Sequence, residues 1–339
     1  MIKRICLTPR VHGVGGMVSF LHKLTAGLEA RGIQTTGEIR NTEFDALLVI
    51  GGTRDLVGIW QAKRRGIPII QRLDGMNWLH RKLKTGLKHW FRAEYGNWLL
   101  NLIRTRLATG IVYQSEFSKT WWERVYGPTP VPSTIIHNGV DLTQYTPDGP
   151  HTRPPDCYRV LLVEGSLQGG YEMGLETAVQ LTQLLIRHDK LAIELMVVGK
   201  ISPTLAAAWD AKAGFPITWG GLVPREKIPE LDRSAHLLYS ADLNAACPNS
   251  VIEALACGLP VLAFDTGALL ELVPSRAGRV VPYGGDPWQL KPPDVSALAD
   301  GAREILGTGN AMRKVARTHA EAAFGLDTMV QKYLAVFQV

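Results

Sequence analysis

Short apolar runs alternate with longer segments of helical periodicity along the chain, with one proline-rich interruption. This alternation is typical of parallel sheets that are covered by helices on both faces. Before the interruption the runs that predict strands are RICLTP, ALLVIGG, PIIQRL, GIVYQS and STIIHNG; after it they are YRVLLVEGS, LAIELMVVGK, ITWGG, AHLLYSA and LPVLAFDTG. The predicted fold class is therefore α/β, with two successive Rossmann-like sheets.

The interruption is the segment TPDGPHTRPPD, residues 146–156, which has four prolines and little apolar content. It is the strongest linker signal in the chain. A length of 339 residues also suits two domains better than a single core. We therefore expect a first domain over residues 1–150 and a second that begins at residue 151.

Composition places the chain among ordinary globular proteins, since 46% of residues are hydrophobic and 20% are charged. No apolar run reaches the roughly 18 residues that a membrane span requires. The chain enters a strand pattern at once, with MIKRICLTP, so we expect no signal peptide. The four cysteines have no metal-ligand spacing. A cytoplasmic protein with reduced thiols is the expectation.

Positive charge is concentrated in the first half of the chain. Residues 1–150 carry 20 Lys and Arg against 11 Asp and Glu, whereas the remainder carries 17 against 20. Within residues 78–106 seven basic residues and five aromatic ones accompany a single acidic residue, Glu94. This composition suits a helix on an anionic membrane surface or near a phosphate-bearing acceptor, and it equally suits a solvated helix face. No nucleic-acid-binding motif accompanies it, so nucleic acid is not a predicted partner.

Several candidate site residues follow predicted strands of the first half, where ligands of open parallel sheets bind. The loop PRVHGVGG carries His12 and a glycine cluster that includes Gly15 and Gly16. Such a loop lets main-chain N–H groups approach an anion, although a simple tight turn explains it as well. Its spacing does not match the dinucleotide fingerprint G-x-G-x-x-G. Asp74 ends the run PIIQRL, and Arg72 precedes it by two residues and points to the same side.

The segment CPNSVIEALACGLPVLAFDTG predicts a short buried helix between Pro248 and Gly258 that carries one carboxylate, Glu253. A buried carboxylate is costly unless it is paired or hydrogen-bonded. The residues alone leave two partners open, a core Arg or Lys and the hydroxyls of a ligand such as a vicinal diol. Free N–H groups near Asn249 and Ser250 would favour a phosphate.

Together these motifs resemble a known family. HNGVDLTQYTP, followed about a hundred residues later by CPNSVIEALACGLPVLAFDTGALLELV, resembles the GT-B glycosyltransferases of family 4, which are retaining nucleotide-sugar transferases. The resemblance extends to GVGGMVSFLHKLTAGLEARG at the start and to the tail FGLDTMVQKYLAVF. It implies two Rossmann-like domains facing a cleft, a donor domain over 151–322, and a last helix over 323–339 that returns to the first domain.

The resemblance also implies roles for particular residues. Glu253 matches the second glutamate of the family's E-x7-E motif, which holds the donor ribose, and Gly15 and Gly16 match a loop near the donor phosphates. Asp74 is the catalytic candidate, and His12 and Arg72 are candidates on the acceptor side. The implied reaction moves a hexose from a nucleotide diphosphate sugar to a hydroxyl acceptor. No D-x-D motif ends a strand, so we expect no obligatory metal and no cofactor beyond the sugar nucleotide.

The chain departs from the family pattern at two places. Ala245 stands where the first glutamate of E-x7-E belongs, and no Lys or Arg lies between Arg159 and Arg187, where the family places a pair that reaches the diphosphate. A GT-B module that binds a nucleotide or glycan without transfer therefore stays open as an alternative, and a sugar-nucleotide epimerase is a weaker one. The residues that could hold the diphosphate instead are Gly165, Ser166, Gly169, Gly170, Lys200 and Arg225.

Overall fold

A computed structural model describes residues 2–11, 13, 15–40, 42–167, 172–308 and 310–338. The chain divides into two compact units, residues 1–139 with 326–339 and residues 140–325. Over the described ranges each unit contains one six-stranded sheet in which all neighbouring strands run parallel. The α/β class with two parallel sheets is confirmed.

The strands follow the predicted apolar runs, with one additional short strand in each sheet. The first sheet has the order β2-β1-β3-β4-β5-β6 and the second the order β12-β11-β10-β7-β8-β9. In chain order the strands are β1 (Arg4–Thr8), β2 (Gln34–Thr36), β3 (Ala46–Ile50), β4 (Ile69–Leu73), β5 (Gly110–Tyr113), β6 (Ser133–Ile135), β7 (Tyr158–Ser166), β8 (Ile193–Lys200), β9 (Ile217–Gly221), β10 (Leu237–Ser240), β11 (Val261–Phe264) and β12 (Gly278–Val281).

Helices connect the strands and cover both sheets. None of those in the described ranges is long and apolar enough to cross a membrane. They are α1 (Gly16–Glu29), α2 (Leu56–Arg64), α3 (Leu87–Leu102), α4 (Glu116–Tyr126), α5 (Glu172–Asp189), α6 (Pro203–Ala213), α7 (Ile228–Ser234), α8 (Asn249–Ala256), α9 (Leu269–Leu272), α10 (Val295–Thr308), α11 (Asn310–Ala323) and α12 (Leu326–Val336).

The central strands of the first sheet are buried on both faces, which explains why they are mostly apolar. Ile5 and Leu7 of β1 belong to one apolar cluster with α1 and α12, whereas Cys6 between them belongs to another cluster with α2. Successive side chains of a strand point to opposite faces, so a continuous apolar run requires a cover on each side.

The last helix, α12, packs on α1. Val330 lies so close to Gly27 that a Cβ at Gly27 would be 2.5 Å from the Val330 Cγ2 atom. The rings of Phe20 and Tyr333 lie 5.4 Å apart, and Arg31 forms an ion pair with Asp327 at 2.9 Å. A helix that follows the second unit in sequence is thus part of the first unit's core.

The proline-rich segment belongs to the second unit, and the first unit ends at residue 139 instead of residue 150. Two buried or partly buried arginines hold the start of this segment and the residues just before it by main-chain carbonyl groups. Arg317 of α11 donates to Leu142 and Tyr145, and Arg233 of α7 donates to Thr146 and Pro150. The segment that the sequence predicts to be a linker is therefore held in place at Thr146 and Pro150. The Arg233 guanidinium donates to the carbonyl groups of both residues.

Candidate active site

Helix α1 begins at the glycine loop directly after β1. Gly15 is the residue before the helix and has φ +142, a value that residues with a Cβ rarely adopt. A Cβ built at Gly15 meets nothing within 4 Å, so backbone conformation and not space demands the glycine there. No side chain caps the helix, and its first N–H groups point to the loop. Gly16 is exposed. His12 lies outside the described residues.

Asp74 directly follows β4, at the carboxyl end of the first sheet. Its main-chain carbonyl accepts hydrogen bonds from Ser118 Oγ at 2.9 Å and from Trp122 Nε1 at 2.7 Å, and both donor residues are fully buried on α4. Burial raises the pKa of the Asp74 carboxyl, and the Arg72 charge partly opposes this. Helix α4 therefore fixes the main chain from which the half-buried Asp74 side chain projects.

Arg72 is brought near Asp74, as expected, but its side chain is buried. Only 2% of the residue is exposed, and its guanidinium lies 3.8 Å from the centre of the Phe20 ring. Its Nη2 donates to Asn138 Oδ1 at 2.7 Å, while Nε has no hydrogen-bond partner among the described residues. The cation thus stacks on an aromatic ring inside the unit, and its assignment to the acceptor side stays a prediction.

Candidate donor residues of the second unit meet at the carboxyl edge of its sheet. Ser166 ends β7 and pairs in register with Lys200, which ends β8, after an irregularity in the ladder at residues 163–166. Lys200 is exposed, and Gly165 is exposed with open space where a Cβ would stand. The adjacent Gly169 and Gly170 lie outside the described residues.

Helix α8 places Glu253 in the interior. Asn249 and Ser250 are its first two residues, Pro248 precedes it, and Gly258 follows its end with φ +68. The expected bracket by proline and glycine holds, except that Pro248 caps the helix instead of occupying its first turn. Glu253 is 8% exposed, so the prediction of a buried carboxylate is confirmed.

Tyr145 connects Glu253 with Arg225. Its hydroxyl donates to the Arg225 carbonyl at 3.5 Å, and the side chain is fully buried. Burial raises the pKa of Tyr145, the charges of Glu253 and Asp232 raise it further, and the Arg225 charge lowers it. Arg225, in the turn after β9, is thus within electrostatic reach of the same hydroxyl as Glu253. The sequence offered no signal for Tyr145, which is one of several tyrosines.

Ala245 has a tightly packed main chain. Its carbonyl accepts a hydrogen bond from Ala268 N at 2.9 Å, and a Cβ on Gly267 would lie 2.4 Å from that same oxygen. Ala245 is 6% exposed, and the buried Asn244 beside it adopts φ +56. Asn244 and Ala245 therefore form a tightly packed loop after β10. Residue 245 lacks the carboxylate that the family pattern places there.

Two other carboxylates lie at this edge, and Glu164 was not foreseen from the sequence. Glu164 is near the end of β7 and Asp242 follows β10, its neighbour in the sheet. Burial raises the pKa of Asp242 to about 6. Burial together with the Asp242 charge raises the pKa of Glu164 well above its usual range. Ionisation of Asp242 therefore opposes ionisation of Glu164. The alternation in VEGS, which leaves Glu164 at the strand end, was the available signal.

Among the described residues no group of three or more His, Cys, Asp or Glu side chains is arranged to hold a metal ion. The chemistry that the described side chains offer is hydrogen bonding and charge at strand ends. Carboxylates Asp74 and Glu253 belong to separate units, each at the carboxyl end of its own sheet or on the helix beside it.

Comparison with known proteins relates this chain to a family of transferases. The family model described as glycosyl transferases group 1 matches residues 158–308, which lie within the second unit. D-inositol 3-phosphate glycosyltransferase 1 of Catenulispora acidiphila is 26% identical, over 97% of this chain and 78% of that protein. Residues 158–308 thus match the group 1 glycosyl transferases, and the chain over nearly its whole length is similar to a glycosyltransferase.

Solved structures show the same fold across the whole chain. Sucrose-phosphate synthase of Thermosynechococcus elongatus superposes with a TM-score of 0.75 at 16% identity, covering 99% of this chain and 98% of that one. HepE of Anabaena, crystallised in complex with UDP-glucose, gives a TM-score of 0.71 at 16% identity and covers both chains completely. The fold of the chain is GT-B.

Proposed function

We propose that this glycosyltransferase moves a hexose from a nucleotide diphosphate sugar to a hydroxyl acceptor with retention of configuration and without an obligatory metal ion. The observation that carries the proposal is the buried Glu253 on α8, at the carboxyl edge of the second sheet. A carboxylate in that place matches the family residue that holds the donor ribose. A vicinal diol offers two hydroxyl donors to its two oxygens.

The donor diphosphate would then lie near the start of α8. The first N–H groups of a helix have no partner within the helix, and those of Asn249 and Ser250 would meet a phosphate oxygen. Lys200, paired in register with Ser166, and Arg225 would supply positive charge in place of the missing basic pair. Gly165 leaves room for a close approach to the main chain.

In the first unit we assign Asp74 to the reacting centre and the loop of Gly15 and Gly16 to the donor phosphates and acceptor. By resemblance, the acceptor hydroxyl attacks from the face that the diphosphate leaves. Stabilisation of the leaving group by helix N-termini, glycine amides and cations lowers the barrier. His12 stays the acceptor-side candidate, whereas Arg72, being buried, would act by holding Asn138.

Calorimetric titration without metal against UDP, GDP, ADP and TDP tests the donor proposal. We expect saturable binding of one nucleotide, and at least tenfold weaker binding by Glu253→Gln, because an amide cannot accept both diol hydrogen bonds. Ser296→Ala, on the exposed surface of α10, is a matched control that should bind normally. Equal affinity of Glu253→Gln and the wild type would refute the ribose assignment. No binding of any nucleotide would favour a module that has lost its donor site.

We also propose that the enzyme is cytoplasmic and contacts an anionic membrane surface through α3. Five large apolar side chains on this helix are exposed, from 40% for Trp90 to 79% for Leu87. We name them the α3 aromatic face; they are Leu87, Trp90, Phe91, Tyr95 and Trp98. The spacing i, i+3, i+4, i+8 and i+11 places them on one stripe of the helix.

Basic residues accompany the α3 aromatic face. Lys84, Lys88 and Arg92 are exposed, whereas Arg81 is paired with Glu94 at 2.5 Å. A shallow hollow of about 480 Å³ lies at the start of the helix and is lined by Leu83, Leu87, Trp90 and Phe91 among others. Apolar rings flanked by lysines suit the boundary between headgroups and acyl chains of anionic lipids.

A further inference from the structure

Three guanidinium groups converge on the turn between α7 and β10, residues 233–236. Arg153, from the proline-rich segment, donates to the Arg233 carbonyl at 2.7 Å. Arg313, from α11, donates to the Ala235 carbonyl at 3.1 Å, and Arg159, from β7, donates to Ser234 Oγ at 2.7 Å. Three separate parts of the second unit therefore each direct an arginine to four consecutive residues.

His236 completes this cluster. Its Nδ1 accepts a hydrogen bond from the main-chain N–H of Arg159 at 2.9 Å. The ring is therefore neutral, and its remaining hydrogen is on Nε2, where it is available to an acceptor. Burial and the charges of Arg153, Arg313 and Arg159 lower the pKa of His236 to about 4. All three arginines are thus close enough to oppose a positive charge on the ring.

The cluster contains more guanidinium groups than carboxyl groups. Arg159 is neutralised by Glu194, whose Oε2 lies 2.8 Å from Arg159 Nε. Burial and the neighbouring Arg153 charge lower the pKa of Arg313 to about 10. Asp232, whose charge acts on Arg313, is 1% exposed, and burial together with the Glu253 charge raises its pKa well above the usual range. Three guanidinium groups therefore face two carboxyl groups, Glu194 and Asp232, and burial disfavours the charge of Asp232.

The hydrogen bonds within the cluster do not use all of the N–H groups of its arginines. Arg153 Nε is buried and has no hydrogen-bond partner among the described residues. Each arginine carries five N–H groups, and the bond from Arg153 to Arg233 uses a single one of them. A site that offers N–H donors, with more guanidinium groups than carboxyl groups, is complementary to an oxyanion.

We propose that Arg153, Arg159, Arg313 and His236 form a binding site for a small oxyanion of the phosphate class, either inorganic phosphate or the phosphate group of a monoester. The site lies at the amino end of β10, whereas Asp242 and the candidate donor residues lie beyond the carboxyl ends of the strands. The bound anion neutralises Arg153 and Arg313 and so fixes the proline-rich segment to the second unit.

Thermal unfolding at constant ionic strength tests the proposal, with sodium phosphate compared with sodium chloride. The wild type should gain about 3–6 °C at a phosphate concentration about tenfold above Kd. Arg153→Gln and Arg313→Gln should each lose most of the gain. Arg276→Gln, an exposed arginine of the same unit, should keep it.

Phosphate could also bind where a sugar nucleotide places its diphosphate, so Lys200→Gln is measured in parallel. A gain lost in Lys200→Gln and kept in Arg153→Gln would overturn the proposal, as would the absence of any gain in the wild type. Nuclear magnetic resonance of the His236 ring gives a second reading. Phosphate should raise its pKa by about one unit or more in the wild type but not in Arg313→Gln. Glycerol 1-phosphate, tested beside inorganic phosphate, distinguishes a monoester from the free ion.

Discussion

Replacement of Asp242 by asparagine should stabilise the second unit, and the gain should depend on pH. The Asp242 carboxyl has a pKa of about 6 in the folded protein, compared with about 3.9 in an unfolded chain. Because the folded state binds the proton more tightly, the free energy of unfolding is largest below pH 4 and decreases as the pH rises to about 6. A shift of two units corresponds to about 3 kcal/mol, which asparagine, having no charge to bury, would recover at pH 8.

Thermal unfolding of both proteins between pH 4 and pH 8 measures this difference. At pH 8 the variant should unfold about 6–12 °C above the wild type, since about 1 kcal/mol shifts the Tm of a unit of this size by about 2–4 °C. Near pH 4 the two midpoints should agree, because the wild-type carboxyl is then protonated. Asp148→Asn, at an exposed carboxylate, serves as the matched control and should show no such change. A difference that does not vary with pH, or that grows towards pH 4, would refute the reasoning.

Three further substitutions test separate parts of the molecule. Arg72→Lys should lower the free energy of unfolding by about 2–3 kcal/mol in urea titrations, because it removes a buried charge-assisted hydrogen bond and the stacking on Phe20. Gly15→Ala should cost about 1 kcal/mol although space is open, because φ +142 strains a residue with a Cβ; no cost would mean that the loop readjusts. Lys84→Gln with Lys88→Gln should weaken binding to phosphatidylglycerol vesicles about 30-fold at low salt, whereas unchanged sedimentation would exclude the α3 contact.

The central strands of both sheets could be predicted from sequence, whereas an outer strand of each could not. Central parallel strands are covered on both faces and must be apolar throughout, as in ALLVI and VLAF. Strand β2 has the sequence QTT and lies at the edge of the first sheet beside β1, and β12 lies at the edge of the second. Edge strands have one neighbour and a partly solvated face, so their sequences carry little apolar signal.

In the candidate site, burial could be predicted from the sequence where a single charged residue interrupts an apolar segment. Glu253 was identifiable because a single carboxylate interrupts an apolar helix, and its burial follows from that pattern. The burial of Arg72 could not be predicted, because alternation along a strand gives the face but not the depth of a side chain, and Phe20 comes from a different element. Tyr145 depends on contacts between distant segments, which no local pattern encodes, whereas the strand end VEGS offered a signal for Glu164.

The buried carboxyl groups of Glu164 and Asp242 affect the charge at the carboxyl edge of the second sheet. At the carboxyl edge of the second sheet, Lys200 and Arg225 are opposed in the sequence by Glu164 and Asp242, and a diphosphate would gain little from such a balance. Burial alters this balance, since it raises the pKa of both carboxyl groups and so disfavours their charged forms. The charge of Asp242 further disfavours ionisation of Glu164. The edge is therefore less hostile to a diphosphate than its four charged residue types suggest.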